Sequence, residues 1–240
     1  MPDAIFEVPR LAELYDSLDP DRSDLDAYVD LVEEFGAASV LDIGCGTGTF
    51  ACLLAVRDLD VVGVDPAAAS LAVARRKRGA DRVRWLHGEA TSLPPLAVDL
   101  VTMTGNVAQV FLTDEEWATT LRAARRALQR GGRLVFEVRD PSRRVWQDWN
   151  REQSLATVLV PEVGSVDHWV RVTDVTGQLV SFTSAFDIDG EILTSHSTLR
   201  FRERGEIEAS LRTADLRLLD VRDAPDRPGL EFVFVAERSD

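Results

Sequence analysis

The chain is poor in the residues that most often announce a disulfide or a metal, with 2 cysteines and 3 histidines among 240 residues. Cys45 and Cys52 are too few and too close to frame a disulfide scaffold or, with so little histidine, a metal cluster, so both read as structural and no metal is expected. Positive charge is scarce as well: 27 Lys and Arg against 41 Asp and Glu leave a net charge of −14. Phosphate backbones are bound mainly through Lys and Arg that release counterions, which disfavours a nucleic-acid partner. No apolar run reaches transmembrane length, and Met1-Pro-Asp-Ala-Ile-Phe-Glu7 lacks the basic start and apolar stretch of a signal segment. A cytoplasmic protein without a membrane partner is the expectation. At 45% hydrophobic residues the chain can still bury a sizeable core, as one α/β domain or as one carrying a large insertion.

What is present concentrates in Val40-Leu-Asp-Ile-Gly-Cys-Gly-Thr-Gly-Thr-Phe50, an apolar strand running into a loop with Gly44, Gly46 and Gly48. Such glycines let the backbone turn sharply and approach a ligand with no Cβ in the way, while the following helix offers unpaired N–H groups. A dinucleotide fingerprint reads G-x-G-x-x-G, its helix N-terminus facing a pyrophosphate. Here the third glycine comes one residue early and Thr49 stands where it would be. Asp42, just ahead of the loop, suits a ligand carrying an ammonium or sulfonium better than one carrying phosphates. The pattern D-x-G-x-G-x-G resembles motif I of the class I S-adenosylmethionine (SAM)-dependent methyltransferases.

The resemblance continues in that family's order across roughly residues 38–141. Asp60-Val-Val-Gly-Val-Asp-Pro66 reads as a second buried strand ending in Asp65, about 20 residues after the loop, where a doubly wound fold brings an acid to ribose hydroxyls. The resemblance implies that Asp65 binds the SAM ribose and that Pro66 lies beside the adenine. Arg82-Val-Arg-Trp-Leu86 reads as the third strand, and Gly88-Glu-Ala90 is similar to the family's Gly-Asp-Ala, which implies Glu89 and the Ala90 amide at the adenine. Val98–Met103 reads as the fourth strand, and Thr104-Gly-Asn-Val-Ala-Gln109 resembles the family loop beside the methyl-transfer centre, placing Thr104 and Asn106 at the cofactor. Leu128–Glu137 matches the helix–Gly-Gly–strand step into strand five. Within motif I the implied cofactor residues are Asp42, Gly44, Cys45, Gly46 and Gly48; Tyr15 joins them from an N-terminal segment that closes over SAM in many relatives. The implied cofactor is SAM and its product S-adenosylhomocysteine (SAH).

Local signals add an alternating order that later breaks. Ser23 reads as the cap of a helix carrying Leu25, Tyr28, Val29, Val32 and Phe35 and ending at Gly36. Thr113-Asp-Glu-Glu116 reads as a capping box for a helix through about Arg130, closed by Gly131. After residue 154 the segments Ser165–Val175, Gln178–Ile188 and Glu191–Arg204 alternate apolar and polar residues, separated by the hairpin-turn signals Thr176-Gly177 and Asp189-Gly190. Glu206–Ala214 then resembles the last helix, with Leu216–Val221 and Glu231–Ala236 as strands six and seven. The expected architecture is α/β: a Rossmann-like, doubly wound seven-stranded sheet, six strands parallel and the last antiparallel, with an antiparallel β insertion after strand five. The division expected is a SAM-binding core with an N-terminal helical segment (1–154), an antiparallel lid (155–204), and the closing helix and strands (205–240).

An insertion after strand five leaves the sheet at the carboxyl ends of the strands, where open α/β sheets bind ligands, so it can roof the site. Similar insertions shape the acceptor pocket in glycine and amino-sugar N-methyltransferases; exposed hairpin edges also stabilise a fold or form a homodimer. Methyl transfer asks little covalent chemistry of protein, and a general base is needed only if the acceptor must lose a proton. His168 and His196, both in the meander, are the candidate bases, against the plainer reading of ordinary strand residues. Trp146 and Trp149 suit cation–π contact with an amine or simple packing, and Arg139, Arg143 and Arg144 suit an acceptor carboxylate or a solvated face. Asp99 and His87 are given no role. The expected function is SAM-dependent methyl transfer to the N or O of a small-molecule acceptor, by in-line displacement through proximity and desolvation. The alternatives are a nicotinamide-dependent oxidoreductase, opposed by the glycine spacing, and a SAM-binding protein that no longer catalyses.

Overall fold

The computed structural model describes residues 1–239. In chain order the elements are α1 (Ala4–Glu7), α2 (Pro9–Leu18), α3 (Asp26–Glu34), β1 (Ser39–Ile43), α4 (Thr49–Ala55), β2 (Asp60–Asp65), α5 (Ala68–Ala74), β3 (Val83–His87) and β4 (Val98–Met103). They continue with α6 (Asp114–Ala127), β5 (Leu128–Arg139), α7 (Arg151–Ser154), β6 (Ala156–Val160), β7 (Gly164–Thr176), β8 (Leu179–Ile188), β9 (Glu191–Arg200), α8 (Arg204–Thr213), β10 (Leu216–Asp223) and β11 (Glu231–Arg238). One sheet has 7 strands in the order β10-β11-β5-β4-β1-β2-β3. Its neighbours from β5 to β3 are parallel, and β11 lies antiparallel between β5 and β10, as expected.

The parallel strands are apolar on both faces because helices cover both. Leu41 and Ile43 of β1 point into one core with Trp117 and Leu121 of α6 and Leu211 of α8. Val40 points the other way, to Tyr28 and Val32 of α3 and Phe50 and Leu54 of α4. Asp99 ties the start of β4 to that of β1, one carboxylate oxygen accepting from the Ala38 and Ser39 amides and the Ser39 hydroxyl. Among the described residues, no helix is long and apolar enough to cross a membrane.

Thr113 and Glu116 close the expected capping box on α6. The helix stops at Ala127 rather than near Arg130, because Leu128 is already paired with Val98 as the start of β5. Ser23 does not cap a helix. Ser23–Leu25 form a single 3-10 turn ahead of α3, with the Ser23 amide donating to Asp21 Oδ1 at 3.0 Å.

The insertion is a sheet of 4 antiparallel strands in the order β6-β7-β8-β9. β6 was not expected: its five residues are too short and too exposed to show an alternating pattern. The Asp189-Gly190 turn forms with both residues at positive φ, as a two-residue hairpin loop requires. Phe186 and Ile188 of β8 bury against Leu11 and Leu14 of α2. Trp146 packs on Phe201 at 4.5 Å between ring centroids and Trp149 on Phe182 at 4.9 Å, joining the chain after β5 to the second sheet. Arg200 and Arg202 donate to the carbonyls of Leu112, Phe111 and Thr113 ahead of α6. These ties place the second sheet at the carboxyl ends of the parallel strands.

Candidate active site

A cavity of about 1110 Å³ opens where β1, β2 and β4 end, walled on its far side by the second sheet and the N-terminal helices. Its floor is the glycine loop. The amides of Gly44 and Cys45 both donate to Val64 O, at 2.9 and 3.2 Å, which bends the chain at the end of β1. A Cβ on Gly44 would lie 2.6 Å from Val107 Cγ2, so the glycine admits the loop after β4. Gly46 faces open space. Gly48 does not line the cavity: a Cβ there would meet Trp85 at 2.5 Å and Ala74 at 2.7 Å, so this glycine serves helix–strand packing.

Asp65, at the end of β2, is 7% exposed. Its Oδ2 accepts from the Gly46 amide at 2.8 Å and its Oδ1 from the Ala67 amide at 2.7 Å. Burial raises its pKa, against the lowering effect of those two donors. Asp42 is 1% exposed and accepts from the Thr102 hydroxyl at 2.9 Å. Burial pushes its pKa up to about 7, and the charge acting on it is another carboxylate, Asp65. A buried carboxyl offset by no cation favours a positively charged neighbour. Cys45 is buried beside these acids and its thiol is pushed well up in pKa by the burial.

Pro66, Glu89 and Ala90 line the cavity beyond Asp65, with Glu89 exposed. Thr104 also lines it, as do Gly105 and Val107. The Asn106 side chain is directed elsewhere: it is 4% exposed and donates from Nδ2 toward Glu231 Oε1 at 3.5 Å, away from the cavity wall. Tyr15 lines the cavity from α2, its ring 5.5 Å from that of Phe6, and burial raises its pKa.

The two histidines part company. His196 lines the cavity, exposed, its Nδ1 2.9 Å from Thr183 Oγ1. His168 sits beside Phe186 in the β7–β8 register, outside the cavity, with Nε2 buried and unpartnered, and burial lowers its pKa. Neither Trp146 nor Trp149 reaches the cavity. Arg139 is held inside the protein by Gln109 Oε1 at 3.1 Å and Glu231 at 3.7 Å, while Arg143 and Arg144 are exposed.

Two constellations escaped the sequence reading. Asp16 of α2 accepts from Thr47 Oγ1 at 2.7 Å and pairs with Lys77 at 2.7 Å, and Lys77 donates to Thr49 Oγ1 at 2.6 Å, clasping the N-terminal helices to the glycine loop. The one lysine of an arginine-rich chain was its visible signal. Further ties run from the same helices to α5, Ser70 Oγ to Phe6 O at 2.9 Å, and to β9, Ile5 N to Ser195 Oγ at 2.9 Å. Arg10 also pairs with Glu191 at 2.6 Å, in the open. The second constellation is a buried acidic pair, Glu137 and Glu231, 8% and 4% exposed, behind the loop after β4.

A cleft with a glycine floor, an acid at the end of β2 and a second buried acid fits a nucleoside joined to a cationic group. Residues 40–132 match the family described as "Methyltransferase domain". An amino pentose methyltransferase from Micromonospora echinaspora, solved with SAM bound, superposes with a TM-score of 0.71 at 26% identity, over 92% of this chain and 93% of that one. The chain carries a methyltransferase domain of the SAM-dependent class. Among curated proteins, this methyltransferase is 29% identical to a cypemycin N-terminal methyltransferase from a Streptomyces species, over 81% of this chain and 79% of the relative. It is 40% identical to the demethylmenaquinone methyltransferase of Thermus thermophilus over 45% of this chain, spanning half (50%) of that relative.

Proposed function

We propose that this methyltransferase moves the methyl group of SAM to a nitrogen or oxygen of a small-molecule acceptor bound against the second sheet. One observation carries the reading: a single cavity joins Asp42 and Asp65 at the strand ends to Ser181, Thr198 and His196 on β8 and β9. In this reading Asp65 holds the ribose, Asp42 faces the cationic end of SAM, and Glu89 with the Ala90 amide meets the adenine. Bound SAM supplies a methyl already activated on sulfonium. The protein then has to hold the acceptor in line and exclude water, which the roof formed by the N-terminal helices and second sheet favours. The cypemycin N-terminal methyltransferase, by its description, supports a nitrogen acceptor, and the amino pentose methyltransferase supports a small-molecule one. A cytoplasmic homodimer belongs to the same reading, as does action without nucleic acid, which the net charge of −14 supports.

Calorimetry with SAM, SAH and NADH tests the cofactor, and labelled methyl transfer from SAM to a panel of amines and alcohols of small molecules tests the acceptor. Binding of SAM and SAH with labelled amine product is expected. Binding of NADH in preference to SAM would overturn the cofactor assignment; label transfer to protein or nucleic acid alone would overturn the acceptor.

A further inference from the structure

Phe136 is the β5 partner of Met103, the last residue of β4. Glu137, still paired with Val233 of β11, is therefore the first residue of β5 with loop in place of strand on its β4 side. Its carboxyl turns to that loop, Oε1 accepting from the Asn106 amide at 3.0 Å. Gly105 and Asn106 lie at φ +71° and +62°. For asparagine that left-handed conformation costs energy and persists only where its surroundings hold it. An amide bonded to a carboxyl that is itself buried is such a hold. The same loop carries Thr104, Gly105 and Val107 into the cavity, and Val107 rests on Gly44 of the glycine floor.

The rest of the cluster explains why Glu137 is free for this task. Arg227 donates to Glu231 Oε1 at 2.7 Å and Arg139 approaches it at 3.7 Å, so the arginines are spent on Glu231. Burial and the neighbouring Glu231 push Glu137 up to about 7, while its backbone donors pull it down.

We propose that Glu137 is a positioning residue for the reaction: it sets the loop after β4, and through Val107 the glycine floor, in the shape that receives SAM. The proposal rests on the methyltransferase reading of the cavity. Leucine fills about the same space as Glu137 but offers the Asn106 amide no acceptor, so Glu137→Leu separates filling space from holding the amide. Glu137→Leu should fold with a melting temperature a few degrees below that of the wild type, weaken SAH binding about tenfold or more, and speed hydrogen exchange at residues 104–107 specifically. Glu137→Gln, which retains an acceptor oxygen, should restore most of both. Glu137→Ala takes the place of leucine should that variant not fold. Wild-type SAH affinity in a folded leucine variant, or exchange accelerated as much along β5 and β11 as in the loop, would overturn the proposal. The exchange comparison needs no ligand. Failure of wild-type protein to bind SAH would thus sink the cavity reading while the loop measurement still decides the role of Glu137.

Discussion

Removing the Asp65 carboxylate should damage binding and stability together, in separable amounts. Each of its oxygens already accepts one backbone amide, Gly46 on Oδ2 and Ala67 on Oδ1, and the residue lines the cavity. A carboxylate has about four acceptor positions, so both oxygens retain capacity for ribose hydroxyls. A hydrogen bond to a charged group contributes roughly 1.5–3 kcal/mol, and water in the emptied cavity offsets part of a two-hydroxyl loss. Asp65→Ala is therefore expected to weaken SAM and SAH by about 1.5–3 kcal/mol, a factor of about 10 to 150. The unbound protein loses stability as well. The Ala67 amide is buried and left without its acceptor, at a cost of about 1–3 kcal/mol, whereas the Gly46 amide, on the cavity side, can turn to water. Asp65→Asn should not rescue either property, because its NH₂ must face one of the two amide donors. Calorimetric titration of SAH into both variants, at a temperature where each is folded by circular dichroism, measures the binding loss; thermal melts measure the other. A folded Asp65→Ala protein that binds SAH as tightly as the wild type would place the ribose elsewhere.

The pKa values of Asp42 and Glu137, raised by burial to about 7, mean that folding favours their protonated forms. The stability they contribute is complete below the unfolded values of 3.8 and 4.5 and is lost as pH rises through about 7, so melting temperature should fall from pH ~5 to ~8 and flatten in Asp42→Asn. A cationic ligand beside Asp42 should ionise it, so SAM binding near neutral pH should release protons, read as a binding heat that changes with buffer; a buffer-independent heat would refute this. Gly48→Ala meets Trp85 and Ala74 at φ +76° and should lose about 2–4 kcal/mol of stability, while Gly46→Ala, free of clashes but held at φ +52°, should lose about 1–2 kcal/mol and impair SAH binding. With an acceptor in hand, His196→Ala should lower turnover, by about 10²–10⁴ if the imidazole is a general base, and leave SAH affinity intact, whereas His168→Ala should change only the melting temperature; the reverse pattern would exchange their roles.

What the sequence made legible was local or rigidly spaced. The succession of strands along the chain, the glycine loop, the position of Asp65 at a strand end, the Thr113 box and the Asp189-Gly190 turn each follow from a few neighbouring residues. The roles within the site were harder to read. Gly48 carries a motif glycine's position but a packing function, and that depends on Trp85, which lies on another strand. Asn106 falls in the right loop, yet its side chain goes to Glu231, a partner 125 residues away. Glu137 closes the segment Leu128–Glu137 that reads as the step into strand five; only the register of β4 against β5 shows that it faces a loop. The Asp16–Lys77 clasp joins α2 to the turn after α5, two segments that no pattern relates. Side chains paired across the tertiary fold leave no periodic trace in the chain.

The N-terminal helices hold on to two partners at once. Asp16 and Phe6 bind them to the glycine loop and α5, while Ile5 and Arg10 bind them to β9. The exposed Arg10–Glu191 pair is the weakest of these ties, since solvent screens it, and the Asp16–Lys77 clasp is more enclosed. Because Leu11 and Leu14 also bury against Phe186 and Ile188, the helices and the second sheet should move together. A displacement that uncovers the nucleoside end then also reshapes the wall offered to the methyl acceptor. Exchange of spent cofactor and admission of the second reactant become one mechanical event, and the order in which the two reactants are added should matter to the rate.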